Sequence, residues 1–138
     1  SLSKAIHAIV ENRIGDRQQA YQFFQEACLI DLGPEPHSSD DGLHAASLGA
    51  IWLAVIFGFA GIDTSAEILQ ITPKLPDAWK LVAFEFVWKG EKISFKITSE
   101  TLEISKATKS VLELIILGEK QLLTDKLIIN FKQKDVSL

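Results

Sequence analysis

A chain of 138 residues with 47% hydrophobic and 23% charged side chains has the balance of a folded globular protein and too much apolar material to stay disordered. Its length suits one domain, or one small domain and part of another. The net charge of −4 offers nothing to hold nucleic acid or an anionic membrane, so neither is expected as a partner.

The charge is uneven. Residues 1–73 carry three basic against nine acidic side chains, while residues 74–138 carry eleven lysines against nine acidic side chains. The shift falls near Pro73, where the hydrophobic period also changes. The single cysteine, Cys28, excludes an internal disulfide, and a reducing compartment, the cytoplasm, is expected. No secretory signal opens the sequence. The sequence holds no methionine, which an unprocessed translation product would carry at its start, so the chain reads as a piece of a longer protein.

Residues 3–14 place Ile6, Ile9, Val10 and Ile14 at helical spacing. Gly15 stops that helix and Asp16 is a natural N-cap for the next. A second helix over 17–30 aligns Ala20, Phe23, Phe24, Ala27 and Cys28. Residues 32–41, with two prolines, a glycine and short polar side chains, read as a loop. Residues 43–62 are almost uniformly apolar and are expected as a third helix. Their length approaches the roughly 20 residues of a membrane span. No Lys or Arg lies close outside to orient a span, and a helix apolar all round is what the centre of a large helical domain requires. Three helices cannot cover such a helix. The expected cover is the remainder of a larger protein, or a second copy of the chain.

After Pro73 the period becomes 2. Val82, Phe84, Phe86 and Trp88 alternate with Ala83, Glu85 and Val87, and Ile93, Phe95 and Ile97 alternate with Ser94, Lys96 and Thr98. Lys89-Gly90-Glu91 between them completes a hairpin signature. Further strands are expected at 101–105, 110–117, 121–124 and 126–132, with a turn at Gly118-Glu119. Residues 67–132 then form an antiparallel β-sandwich, and the fold class is α+β.

Few residues announce chemistry. His7, His37, His44 and Cys28 lack metal-ligand spacing, so no metal is expected. Asp40-Asp41 is a carboxylate pair of the kind that caps a helix or faces water. Ser1, Ser3 and Ser47 lack a nucleophile setting. Gly58 and Gly61 do not make a phosphate loop, because no strand precedes them. Phe84, Phe86, Trp88 and Phe95 alternate in phase, which suits a sandwich core better than a sugar-binding platform.

Three blocks carry a resemblance. The opening has Ser1-Leu2-Ser3, Ile6-His7, Gly15-Asp16, Ala20-Tyr21, Phe24 and Asp31-Leu32. The apolar stretch has Gly42, His44, Ala46-Ser47, Gly49, Trp52 and Gly58-Phe59. The last block has Pro73, Leu75-Pro76, Trp79 and Gly90. In this order they resemble the end of glycoside hydrolase family 65. Lys4 stands where that family usually has proline, and residues 33–41 differ from its usual Asp-rich stretch.

The resemblance implies the last helices of an (α/α) barrel over 1–65 and a C-terminal β-sandwich over 66–138. Family members are maltose, trehalose, kojibiose and nigerose phosphorylases and some hydrolases, in which phosphate or water attacks an α-glucoside with inversion. The catalytic acid lies upstream of anything present here. No catalytic residue is therefore expected in this chain, and the chain alone is expected to be inactive. The implied partners are the remainder of the parent enzyme and, only in that whole protein, a disaccharide. No cofactor is implied beyond inorganic phosphate as co-substrate. The Gly42-Leu43-His44 motif and the serines represented by Ser1 and Ser3 resemble the borders of the family's phosphate site. His44 also opens a helix, where free N–H groups and the dipole favour an anion. The competing expectation for the chain is a structural or carbohydrate-binding β-sandwich module without activity.

Overall fold

The computed structural model describes residues 3–33 and 44–131. The chain divides into two compact units, Ser1–Gly61 and Ile62–Leu138.

The first unit is helical. Helix α1, Lys4–Ile14, stops at Gly15, whose φ of 105° lets its N–H return to Glu11 O. Asp16 then caps helix α2, Arg17–Leu32, by accepting from the Gln19 N–H at 2.9 Å. Helix α3, Ala45–Leu53, runs directly into a π-helical stretch, Ala54–Phe59. Gly61, at φ 68°, follows it. Among the described residues no helix is long and apolar enough to cross a membrane.

The core of this unit is built on small side chains. Ala5, Ala8 and Asn12 are the buried residues of α1, while Ile6, Val10 and Ile14 are 47%, 50% and 72% exposed. Ile9 alone of that stripe packs inward, against a cluster of Ala5, Ala8, Ala27 and Ala54. Small side chains let the helices approach closely. A Cβ at Gly58 would lie 3.4 Å from Ile9 Cγ1 and 3.5 Å from Ile9 Cα. On α2 the expected alignment holds, with Ala20 and Ala27 buried and Phe23 and Phe24 packed against the cluster.

The closing turn of the helix leaves carbonyls without intrahelical donors. One of them, Gly58 O, accepts from the buried Asn12 Nδ2 at 3.1 Å. Asn12→Ala removes that donor and strands a buried acceptor, which costs about 1–3 kcal/mol. We expect the thermal midpoint to fall accordingly, and an unchanged midpoint would show that the amide contributes nothing.

Among the described residues the second unit holds eight strands: β1 (Ile62–Asp63), β2 (Leu69–Ile71), β3 (Val82–Trp88), β4 (Glu91–Ile97), β5 (Thr101–Lys106), β6 (Leu112–Ile116), β7 (Glu119–Leu123) and β8 (Lys126–Asn130). They form two four-stranded sheets, β1-β2-β6-β7 and β3-β4-β5-β8. The β3–β8 segments lie close to their expected places. β1 and β2 are additional, and β2 pairs β6 in parallel where an antiparallel arrangement was expected throughout.

Two hairpins turn on residue pairs with positive φ, Lys89-Gly90 and Leu117-Gly118. Such two-residue turns match the twist of the strands they join. Ile93, Phe95, Ile97, Leu102 and Ile104 from one sheet, and Ile62, Leu69, Ile71, Leu114, Ile116 and Leu123 from the other, are among the buried residues of the sandwich. Phe84 lies directly opposite Phe95 in register and stacks on it, with centroids 4.9 Å apart and planes 12° apart. Phe86 and Trp88 continue that phase and are half-buried, as a sandwich core requires. The other phase mixes polar side chains with the exposed Val87, Leu122 and Ile128. Lys92–Glu85, Lys120–Glu113 and Lys126–Glu103 pair diagonally across strands at 2.7, 2.9 and 3.2 Å, where exposed ion pairs add little stability.

Candidate functional site at the head of the third helix

Asp31 sits in the last turn of α2. A carboxylate there opposes the helix dipole, so it needs a compensating partner. The partner is His44, the residue immediately before α3. Asp31 Oδ1 accepts the His44 backbone N–H at 3.0 Å and lies 3.0 Å from His44 Nδ1. Asp31 thus caps α3 from outside that helix, whose positive end favours the carboxylate. The His44 side chain makes no capping bond of its own.

The Asp31 side chain is fully inaccessible, whereas that of His44 is 36% exposed. The backbone N–H of His44, above all, holds the Asp31 carboxyl below its ordinary range. Desolvation opposes it, and the His44 ring and the Ser47 side chain add to the lowering. Ser47, one turn into α3, is buried. Among the described residues Asp31 Oδ2 has no hydrogen-bond partner. The pair therefore presents a fixed, partly exposed imidazole backed by a buried negative charge.

Two family models match the chain in order: glycosyl hydrolase family 65 central catalytic domain over residues 1–53, and glycosyl hydrolase family 65, C-terminal domain, over residues 62–123. The chain belongs to glycoside hydrolase family 65. It is 46% identical over 104 residues to a kojibiose phosphorylase of Escherichia coli, an alignment covering 75% of this chain and 14% of that protein. A kojibiose phosphorylase of Halothermothrix orenii is 38% identical over 136 residues, covering 94% of this chain and 17% of the relative. An alpha,alpha-trehalose phosphorylase of Thermoanaerobacter brockii is 36% identical over 89% of this chain and 16% of its own length. A solved structure described as a putative kojibiose phosphorylase from human microbiome superposes with a TM-score of 0.87 at 32% identity. That superposition covers 94% of this chain and 19% of the other. This family 65 chain spans less than a fifth of the length of these relatives.

The other expected site residue within the described part is Ser3, which precedes α1 and makes no side-chain cap. Lys4 Nζ bonds the Glu26 carboxylate, so the start of α1 lies beside the later turns of α2. Asp31 is five residues further along, about 7.5 Å at 1.5 Å per residue. Ser3 and His44 therefore share one end of the helical unit of this family 65 chain. Ser1, His37, Asp40, Asp41 and Gly42 lie outside the described residues.

His7 packs edge-on against Phe23 at 5.3 Å, away from any ligand set. Burial pushes the Cys28 thiol up, which makes it a poor nucleophile. Among the described residues, no three metal-binding side chains converge. Asp31 was invisible as a site residue in sequence, although one signal existed: a carboxylate in a helix's last turn is out of place without a donor facing it.

Proposed function

We propose that this chain is the C-terminal part of a disaccharide phosphorylase acting on an α-glucoside, in which His44 contacts inorganic phosphate and Ser1 and Ser3 border the same site. The observation that carries this reading is the 46% identity with a kojibiose phosphorylase over three quarters of the chain. In the proposed reaction a phosphate oxygen attacks the anomeric carbon, the bond to the departing sugar breaks, and an acid elsewhere in the parent protonates the leaving oxygen. Inversion then gives β-glucose 1-phosphate and a free sugar.

Residues 1–65 would supply the last helices of the parent's barrel, and residues 66–138 its C-terminal β-sandwich. The outward stripe of Ile6, Val10 and Ile14, together with the half-exposed Trp52, supports cover by the remainder of the parent. The free Cys28 suits a reducing, cytoplasmic setting.

The test is direct. The polypeptide containing this chain, given kojibiose, trehalose or maltose, should release β-glucose 1-phosphate only when inorganic phosphate is present. The 138 residues alone should release none. Glucose release that ignores phosphate would overturn the phosphorylase reading in favour of hydrolysis.

A further inference from the structure

We propose that Asp31 is the positioning residue of this site: its buried carboxylate holds the backbone and ring of His44 together, so that Nε2 is the nitrogen offered to phosphate. The proposal rests on the phosphate reading above and names what makes His44 competent for it.

One oxygen, Asp31 Oδ1, engages both the His44 backbone N–H and Nδ1, each at 3.0 Å. Two anchors on one residue fix both where the ring is and which way it faces. An ionised carboxylate only accepts, so Nδ1 must carry a hydrogen. A neutral ring then has a bare Nε2, which cannot donate to phosphate oxygens. When the ring takes a second proton, Nε2–H becomes a charged donor, and Asp31 is its counter-charge. The Asp31 side chain is fully inaccessible while that of His44 is 36% exposed, so an anion arriving from solvent meets the imidazole and not the carboxylate.

A simple cap explains less. Capping α3 needs only the backbone bond, yet the ring is bound as well. The carboxylate also lies at the unfavourable end of α2.

The experiment uses the whole phosphorylase polypeptide that contains this chain, with inorganic phosphate and the disaccharide varied separately. Asp31→Asn keeps an oxygen for both donors and removes the charge. Asp31→Ala removes both. We expect Asp31→Asn to raise the KM for phosphate about tenfold while leaving the KM for disaccharide unchanged, and Asp31→Ala to raise it further. Combined with His44→Ala, Asp31→Asn should add almost nothing, since it acts through the ring. A partly unfolded sample lowers kcat but moves neither KM, so the ratio of the two KM values reads the site even where a variant is less stable. If His44→Ala raises the KM for phosphate and Asp31→Asn does not, Asp31 is only a helix cap and the proposal is overturned. If His44→Ala leaves that KM unchanged, the phosphate reading itself fails, and this proposal goes with it.

Discussion

Replacing Phe95 by alanine should cost the β unit about 3–5 kcal/mol, the range for truncating a large buried aromatic. Phe95 lies in the middle of β4, paired on both sides by β3 and β5, and is 1% exposed. The loss combines transfer of the ring from water with a cavity that two paired strands cannot close. The stacked contact with Phe84 adds about 0.5–1.5 kcal/mol of its own. A domain's whole stability is about 5–15 kcal/mol, so this single change would leave the unit near the edge of folding. Phe84→Ala should cost less, because Phe84 is only half-buried. Urea unfolding followed by the fluorescence of Trp79 and Trp88, both in this unit, would measure the two. A loss below 1 kcal/mol for Phe95→Ala would mean that the stacked pair does not anchor the sandwich.

The second large effect is chemical. His44→Ala, in the full polypeptide, should lower kcat/KM for phosphate roughly ten- to a thousandfold, the scale of one lost charge-assisted contact that strengthens at the transition state. The geometry argues for the upper part of that range. Removing the imidazole deletes a donor and also leaves the buried Asp31 carboxylate without its ring partner, so its negative charge is uncompensated near the incoming anion. His44→Gln keeps a neutral donor and should fall in between. Steady-state rates at varied phosphate, with the thermal midpoint of each variant alongside, decide the matter. Unchanged kcat and KM for phosphate in a folded His44→Ala protein would remove His44 from the site.

How much of this could be read in advance depends on where the signal lies in the chain. The Lys89-Gly90 hairpin and the alternation of Phe84, Phe86 and Phe95 are local patterns, and they translated directly into structure, whereas the change from helix to strand, expected near Pro73, falls earlier, at Ile62. The inward face of α1 could not be read from spacing, for a physical reason. Periodicity finds a stripe, but α1 has two: the large Ile6, Val10 and Ile14, and the small Ala5 and Ala8. Close approach of the helices selected the small one. β1 and β2 span two and three residues, too short for a period to register, and β2 finds its partner far along the chain. The passage from α to π geometry at Ala54 leaves no mark in an all-apolar run. His44 was legible only through a motif. Its partner was not, because Asp31 lies 13 residues earlier, on a different helix.

The order in which strands alternate between the two sheets has a consequence for how the β unit comes into being. Leu69 of β2 pairs with Leu114 of β6, and everything in β3, β4 and β5 belongs to the other sheet. The β3–β4 hairpin can zip as soon as Glu91–Ile97 is available. The β2–β6 pairing must close a loop about ten times longer than a tight turn, at roughly 2 kcal/mol of additional entropy. During synthesis β2 therefore waits, with only the two-residue β1 beside it, until β6 has left the ribosome. In that interval Leu69 and Ile71, both fully covered in the finished protein, lie on an open edge. Residues 69–71 are thus the segment most exposed to mispairing or to capture by a chaperone.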